Sequence, residues 1–529
     1  MSMAPLVLRT DVLIIGGGMA AAWAALAAAE AGAAVVIVDK GAMGTSGVTA
    51  SGGPGHWYVA PEDREGAIAR QLGRTEGLAE QAWMDRVLDL TWRYLPTIAP
   101  WYPFGSDGQG GRYVHGVRGP EYMRALRRMC VAAGVAVFDH HPALELLADR
   151  DGAVTGAKGV SLAHGYDWEI HSRATILATG GCAFRSGLIG SHTQTGDGQL
   201  MAAEAGAAMS GMEFSIAWSL SPTWACTRTL PYPAARFYRQ DGRELAIPSL
   251  KAGHAHYQAL GAALLDGPVL ADLSDAPAGL PGVLRHIQPL TMAAFERRGI
   301  DPFRDRFPIR LYGEGTIRGT GGIAIADADC GTGVPGLFAA GDAATRELVA
   351  GAISGGGAVN SAWALASGRI AGIAAARRRH HGVPAAAVPL GRAGLRPRKT
   401  PKPIAPAPVQ KVVEHAMHGL DRALWRNAAN LAVSQAEIGE AWALIADHGD
   451  AAGDTPRARM ELRATAAMAA TARWCNAAAI ARRETRGIAV RVDLPDQDPA
   501  QAHRLLVGGL DHVWTRPSTR ANRRLETIA

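Results

Sequence analysis

Asp11-Val-Leu-Ile-Ile-Gly16-Gly17-Gly18-Met19-Ala20-Ala21, followed after a helical stretch by Val35-Val-Ile-Val-Asp39-Lys40, decides the fold. Val12 to Ile15 is an unbroken apolar run, as expected of a strand buried on both faces of a parallel sheet. Gly16 permits a tight turn, Gly18 lets the main chain approach a pyrophosphate, and Ala21 takes the last small-residue position where helix meets strand. A helix from about Met19 to Ala31 then aims its N-terminal amides and positive dipole end at the phosphates, which puts Met19 and Ala20 at the binding end. Asp39 closes the second strand, where a carboxylate can accept ribose hydroxyls. Strand, turn, helix, strand and acid in that order predict a dinucleotide-binding unit.

Far along the chain, Gly336-Leu-Phe-Ala-Ala-Gly341-Asp342-Ala343 repeats the pattern of an apolar run ending in a glycine turn. Together the two glycine segments read as one split FAD site, with room between them for a substrate domain. The predicted class is α/β: a split Rossmann-like FAD-binding domain in residues 1–211 and 321–382, with an inserted α+β capping domain in 212–320. Between Val383 and Val409 lie seven prolines among lysines and arginines, which predicts an extended linker over 383–409. Alanine-rich helical spacing from Gln410 to Arg486 predicts a C-terminal helical domain, with a short irregular tail completing 410–529.

At 529 residues the chain has length for several domains and a large core. It holds no apolar run of about 18 residues, so no membrane span is predicted. The formal charge of +6 is modest, and Arg377-Arg378-Arg379-His380-His381 and the arginines between 516 and 524 read as a solvated helix end and a frayed terminus. No nucleic-acid recognition motif accompanies them. Cys130, Cys182, Cys226, Cys330 and Cys475 are scattered without a CxxC pair, which argues against iron–sulfur and zinc sites and fits a reducing cytoplasm.

The ordered motif set resembles the flavoprotein family of fumarate reductase, succinate dehydrogenase, L-aspartate oxidase and adenylylsulfate reductase. The matches are Gly16 to Gly18 with Asp39-Lys40, Ser46-Gly-Val-Thr-Ala50-Ser51-Gly52-Gly53, Ala178-Thr179-Gly180-Gly181, Thr195-Gly196-Asp197-Gly198, Gly341-Asp342-Ala343 and Arg483-Glu484-Thr485-Arg486-Gly487. The resemblance implies that Thr45, Ser46 and Ala50, Ser51, Gly52 and Gly53 line the pyrophosphate and isoalloxazine. It implies that Ala143 meets the adenine through its backbone, near Thr179 and Gly180, that Thr195 and Asp197 support the FAD, and that Asp342 binds the ribityl chain. Asn360 and Ser361, opening a helix, would face the flavin pyrimidine edge and stabilise negative charge there. Several relatives carry a flavin-bonded histidine where this chain has Ser46, which implies noncovalent FAD.

The substrate residues of that family are missing. Its Arg-Gly-Glu-Gly stretch has no counterpart in Thr227-Arg228-Thr229-Leu230-Pro231-Tyr232-Pro233-Ala-Ala-Arg236. A His-Tyr-x-x-Gly-Gly clamp becomes Ile317-Arg318-Gly319-Thr320-Gly321-Gly322, and a His-Gly-x-x-Arg clamp becomes Gly351-Ala-Ile-Ser-Gly355. The catalytic candidates are therefore Arg318, Arg236, Tyr232, Arg228 and Trp218. His56, Trp57, Tyr58, His115, Arg118, Arg346, Glu347 and Glu314 are further candidates, whereas His192 is assigned to the cofactor side. The expected activity is hydride transfer between flavin N5 and a small polar or anionic substrate other than fumarate or succinate. Two alternatives stay open: an adenylylsulfate-reductase-like subunit working with a separate iron–sulfur chain as its electron-transfer protein, and a flavin-binding regulatory or assembly protein without turnover. Homo-oligomerisation is also left open.

Overall fold

A computed structural model describes residues 5–106, 108, 110–225, 230–378, 387–451 and 454–518. The strand Leu6–Ile15 lies between Val35–Val38 and Asp167–Leu177, parallel to both, with Val12 opposite Val35 on one side and Ala174 on the other. Its apolar end is buried because strands and helices cover both faces; Val12, Leu13 and Ile14 are sealed from solvent. Ala136–Phe138 extends the sheet beyond Val35–Val38. Antiparallel strands Ala143–Ala148 and Val154–Val160 extend the other side, and Leu337–Ala339 pairs in parallel with Asp167–Leu177. The two glycine segments, remote in sequence, thus lie on one sheet.

Small residues bring the covering helices close. The helix Met19–Glu30 runs against Gly356–Arg377, and a Cβ at Gly368 or Gly372 would stand 2.5 Å from the Ala20 carbonyl oxygen or 2.2 Å from that of Ala24. Only hydrogen fits at those two contacts, so the alanine and glycine content there is a packing requirement. Larger side chains fill the remaining space: Trp23 Nε1 donates to the Tyr122 hydroxyl at 2.8 Å, and Trp363 Nε1 donates to the Gly341 carbonyl at 3.1 Å.

Met209–Ser210 and Gly322–Ile323 pair antiparallel where the chain leaves and rejoins this unit. Adjacent crossing strands hold the ends of the insertion together, as an inserted domain requires. Within it, four antiparallel strands run in the order Trp218–Pro222, Phe307–Gly313, Val269–Asp272 and Arg236–Tyr238. Helix His254–Asp266 packs against strand Phe307–Gly313, and Trp224, Phe295 and Phe307 form an aromatic cluster.

Two expectations about the C-terminal third change. The described part of the expected linker is strapped to the main sheet: Val388–Pro389 pairs with Leu147–Ala148, and Arg396 holds Glu145 at 2.7 Å. Proline is tolerated there because this is an edge strand. Residues 379–386, including Arg379, His380 and His381, lie outside the described residues, as do the arginines from 520 to 524. The tail is not irregular throughout. Leu505–Gly508 adds to Met209–Ser210, and Trp514–Pro517 adds to Leu505–Gly508. Between strap and tail stand helices Pro406–His418, Ala428–His448 and Pro456–Ala481, the last two capped by Asn427 and Thr455 side chains. Buried Arg463 joins this bundle to the first unit through Glu204 and the Leu144 carbonyl.

Candidate functional site

A cavity of about 550 Å³ runs from the first glycine turn to the underside of the inserted domain. Gly16 turns there with φ +114°, and a Cβ at that position would lie 2.3 Å from the Ala178 carbonyl oxygen. A Cβ at Gly17 would lie 2.5 Å from Asp39 Oδ2, whereas one at Gly18 would meet nothing and project into open space. The turn is therefore pressed onto the sheet at Gly16 and Gly17 and open towards the cavity at Gly18. That is the geometry of a main chain kept bare for a ligand to approach.

Asp39 is buried, its Oδ2 has no protein partner, and burial raises its pKa. A carboxylate desolvated in this way is costly until hydrogen-bond donors reach it, and the hydroxyls of a nucleotide ribose are such donors. Asn360 Oδ1 is likewise buried without a partner in the first turns of helix Gly356–Arg377. The positive end of that helix faces the cavity at Gly357, Asn360 and Ser361. A buried acid with an oxygen left open at one end and an open helix N-terminus at the other fit a long, anionic dinucleotide whose electron-rich ring gains from the helix dipole.

Most of the expected cofactor residues share this cavity. Gly16, Gly18, Met19, Ala20, Asp39, Lys40, Ser46, Ser51, Gly52, Gly53, Ala143, Thr179, Gly180, Asp197, Gly341, Asp342, Asn360 and Ser361 line it. Thr45, Ala50 and Thr195 do not. The Thr45 hydroxyl donates to the Ala42 carbonyl at 3.0 Å on the exposed side of its turn, and Ala50 is buried in the short helix Gly47–Ala50. Thr195 acts through a neighbour, its Oγ1 accepting from Lys40 Nζ at 2.7 Å while Asp197 ion-pairs with the same ammonium.

Residues 11–90 and 87–272 match the family described as FAD binding domain. The chain thus carries an FAD binding domain and is similar to L-aspartate oxidases and fumarate reductases. FAD is the cofactor, and the relatives are FAD-dependent oxidoreductases. L-aspartate oxidase from Streptomyces coelicolor is 26% identical over 390 residues, covering 64% of this chain and 63% of its own. The enzyme of the same name from Mycobacterium tuberculosis is 27% identical over 548 residues, covering 95% of each chain. Among solved structures, E. coli quinol fumarate reductase FrdA superposes with a TM-score of 0.80 at 20% identity, over 98% of this chain and 99% of that one. No helix among the described residues is long and apolar enough to cross a membrane, and they contain no metal-ligating cluster.

The substrate end departs from most of the expectations. Of the four catalytic candidates among the described residues, Arg318 alone lines the cavity. Arg236 stands on the outer strand of the inserted sheet, exposed and paired with Asp275 at 3.0 Å. Tyr232 and Trp218 are buried in the core of the inserted domain, Trp218 lying opposite Gly313 in the strand register. Arg228 lies outside the described residues.

The further candidates are mostly structural. Arg346 is fully buried and clasps Asp342, donating to the Thr316 carbonyl at 2.7 Å and to that of Ile317 at 3.1 Å. Glu347 is buried against the Ser210 hydroxyl, and its pKa is raised to about 7 by burial and then by the charge of Glu213. His56 packs edge-on to Tyr122, and burial lowers its pKa to about 3. Glu314 is buried and accepts from Ser219 Oγ. His192 meets Arg185, which pairs with Glu461 at 2.8 Å.

The inserted domain presents other residues to the cavity: Ser219, Leu250, Tyr257, Gln288, Thr291 and Ile317. They come from separate short segments with no shared spacing. Ile317 could be reached from its neighbour Arg318; nothing in the sequence singles out the other five. Burial raises the Tyr257 pKa, with the Glu314 charge adding to it, so this phenol keeps its proton and can donate it in a hydrogen bond.

Proposed function

We propose that the protein is an FAD-dependent oxidoreductase acting on a small polar or anionic organic molecule other than fumarate or succinate. One observation carries this reading: a single cavity joins the dinucleotide turn to a polar chamber under the inserted domain, where Arg318 and Tyr257 meet it. When bound, the flavin supplies two-electron hydride chemistry at N5. Arg318 holds the polar or anionic group of the substrate, with Glu314 3.9 Å from its Nε as a counter-charge. Tyr257 donates a hydrogen bond within the chamber, while Leu250 and Ile317 keep water from the reacting carbon.

A dicarboxylate asks for a cation at each end. Among the described residues lining the chamber under the inserted domain, Arg318 is the single cation, and the family clamps have become Ile317, Gly351 and Gly355. Ser46 at the place of the flavin-bonded histidine supports noncovalent FAD. Electrons then pass to a separate acceptor, and an electron-transfer protein fits the Ser46-Gly47 pattern shared with adenylylsulfate reductase.

The test is anaerobic mixing of the yellow protein with small polar and anionic metabolites. Bleaching of the flavin absorbance by at least one of them is expected. Failure of every pool to reduce or reoxidise the flavin would favour a binding protein without turnover. Denaturation should release all flavin to the supernatant; flavin retained on the chain would overturn the noncovalent assignment.

A further inference from the structure

Ser219 pairs with Tyr312 across the strands Trp218–Pro222 and Phe307–Gly313, and Glu314, one residue beyond the second strand, is its diagonal neighbour. Ser219 lines the cavity, whereas Glu314 is sealed behind it. The Ser219 hydroxyl donates to Glu314 Oε1, and Arg318 Nε stands 3.9 Å from the other carboxylate oxygen. A serine hydroxyl has one proton and two lone pairs. With that proton directed at Glu314, Ser219 offers the cavity acceptor lone pairs and no donor. Arg318 and Tyr257 are the charged and titratable groups beside the pair; Arg318 can only donate, whereas the Tyr257 phenol can donate or accept.

We infer that the Ser219–Glu314 pair selects a substrate that is itself a donor, an alcohol or amine whose oxidisable carbon carries the O–H or N–H group. Arg318 takes a single anionic group of the same molecule. This rests on the oxidoreductase reading above and deepens it to a substrate class: small mono-anionic alcohols or amines in their reduced form. In the oxidation direction the substrate O–H or N–H proton passes to Ser219 Oγ as the Ser219 proton passes to Glu314. The substrate carbon loses its hydrogen with the bonding electron pair to the two-electron flavin oxidant, and the product has a C=O or C=N bond. One proton and one hydride leave the substrate, so charge and electrons balance. Ser219 touches the substrate; Glu314 acts through Ser219 as the terminal proton acceptor.

The decisive measurement is binding rather than turnover. With FAD-loaded protein, lactate and pyruvate are titrated by the perturbation of the visible flavin spectrum, using both lactate enantiomers. The two probes match in charge and size, but lactate has a donor where pyruvate has an acceptor. One lactate enantiomer should bind about tenfold more tightly than pyruvate, because a site built to hydrogen-bond one group leaves its own polar atom unpaired against the other. S219T keeps the hydroxyl and should keep the preference; S219A should bring the ratio close to one. E314Q should compress or invert it, since a glutamine amide can donate to Ser219 and turn the serine proton towards the cavity. Flavin content and Tm, unchanged in the S219T and E314Q variants, separate these effects from misfolding.

Equal or tighter pyruvate binding in the unaltered protein would overturn the inference, as would a preference untouched by both S219A and E314Q. Absence of any perturbation by either probe would remove the mono-anion class and the inference with it. None of these outcomes needs the flavin to turn over, so they stand apart from a failure of the oxidoreductase reading in the bleaching test.

Discussion

At the Gly16–Asp39 end of the cavity the walls are largely main chain, whereas at the Ser219–Arg318 end they are side chains drawn from several separate segments. The first end constrains which residues can be present at all, because a Cβ at Gly16 or Gly17 would collide with its neighbours. The second tolerates many residues provided that the chamber keeps its shape and polarity. Retention of a cofactor and change of a substrate are the natural outcomes of that difference. Substitutions at the two ends should accordingly differ in kind, with loss of flavin at one and altered ligand preference at the other.

The largest effect is expected at the glycine turn. Gly16→Val places a branched side chain at φ +114° against the Ala178 carbonyl oxygen. The cost should be on the order of 3 kcal/mol in strain and displaced backbone. Purified variant should have a lower Tm and little bound flavin, read as the ratio of visible to protein absorbance. Full flavin occupancy would mean that the turn yields, and that the contrast between rigid and adaptable ends is wrong. Asp39→Ala tests the same end more gently. Losing hydrogen bonds to a charged group should weaken FAD by about fiftyfold, measured by titrating stripped protein with FAD.

Glu347 lies at the joint between the ends, bonded to Ser210 where the chain enters the inserted domain and five residues after Asp342. Burial and Glu213 raise its pKa from 4.5 to about 7, so the folded protein holds this proton more tightly than the unfolded chain. Its contribution to stability is complete below pH 4.5 and is lost as pH rises towards about 7. Glu347→Gln, neutral throughout, should remove a pH dependence on the order of 3 kcal/mol over that window. The comparison is of Tm against pH for the two proteins. Parallel curves would show that Glu347 stays ionised and that the joint is held by charge.

Arg318→Ala belongs to the adaptable end. Flavin occupancy should change by less than about twofold, while affinity for a small anionic probe falls about tenfold or more. A variant that lost flavin instead would move Arg318 to the cofactor's side of the division.

The same division explains what could be read from the sequence. Dinucleotide binding writes small residues and one acid at set distances along continuous chain, so Gly16, Gly18, Asp39 and Gly341-Asp342 were legible, with the cofactor and the α/β class. The chamber under the inserted domain was not. Ser219 is an unremarked strand serine, Tyr257 and Thr291 lie on helices whose facing depends on tertiary packing, and Gln288 sits at the junction between two helices. Arg346 looked like a substrate contact because it follows Asp342, yet packing turns its guanidinium onto the Thr316 and Ile317 carbonyls. The proline-rich stretch misled for a related reason: composition suggested a free linker, but the exposed edge of Ala143–Ala148 was available to pair with it.

Arg236 provides the smallest effect and the clearest control. It was a candidate because it shares a segment with Tyr232, but on its strand alternate side chains point to opposite faces. Phe237 takes the buried face, which sends Arg236 outward to Asp275 and the solvent. An exposed ion pair of this kind is worth little, because water and salt screen it and two long side chains must be ordered to make it. Arg236→Ala should therefore change stability by no more than about 0.5 kcal/mol and leave both flavin occupancy and the lactate-to-pyruvate binding ratio unaltered. A shift in that ratio would require Arg236 to reach the chamber when ligand is bound, through a movement of the whole inserted sheet. The adaptable end would then include domain motion as well as side-chain identity, and Arg318 could no longer be treated as its single cation among the described residues.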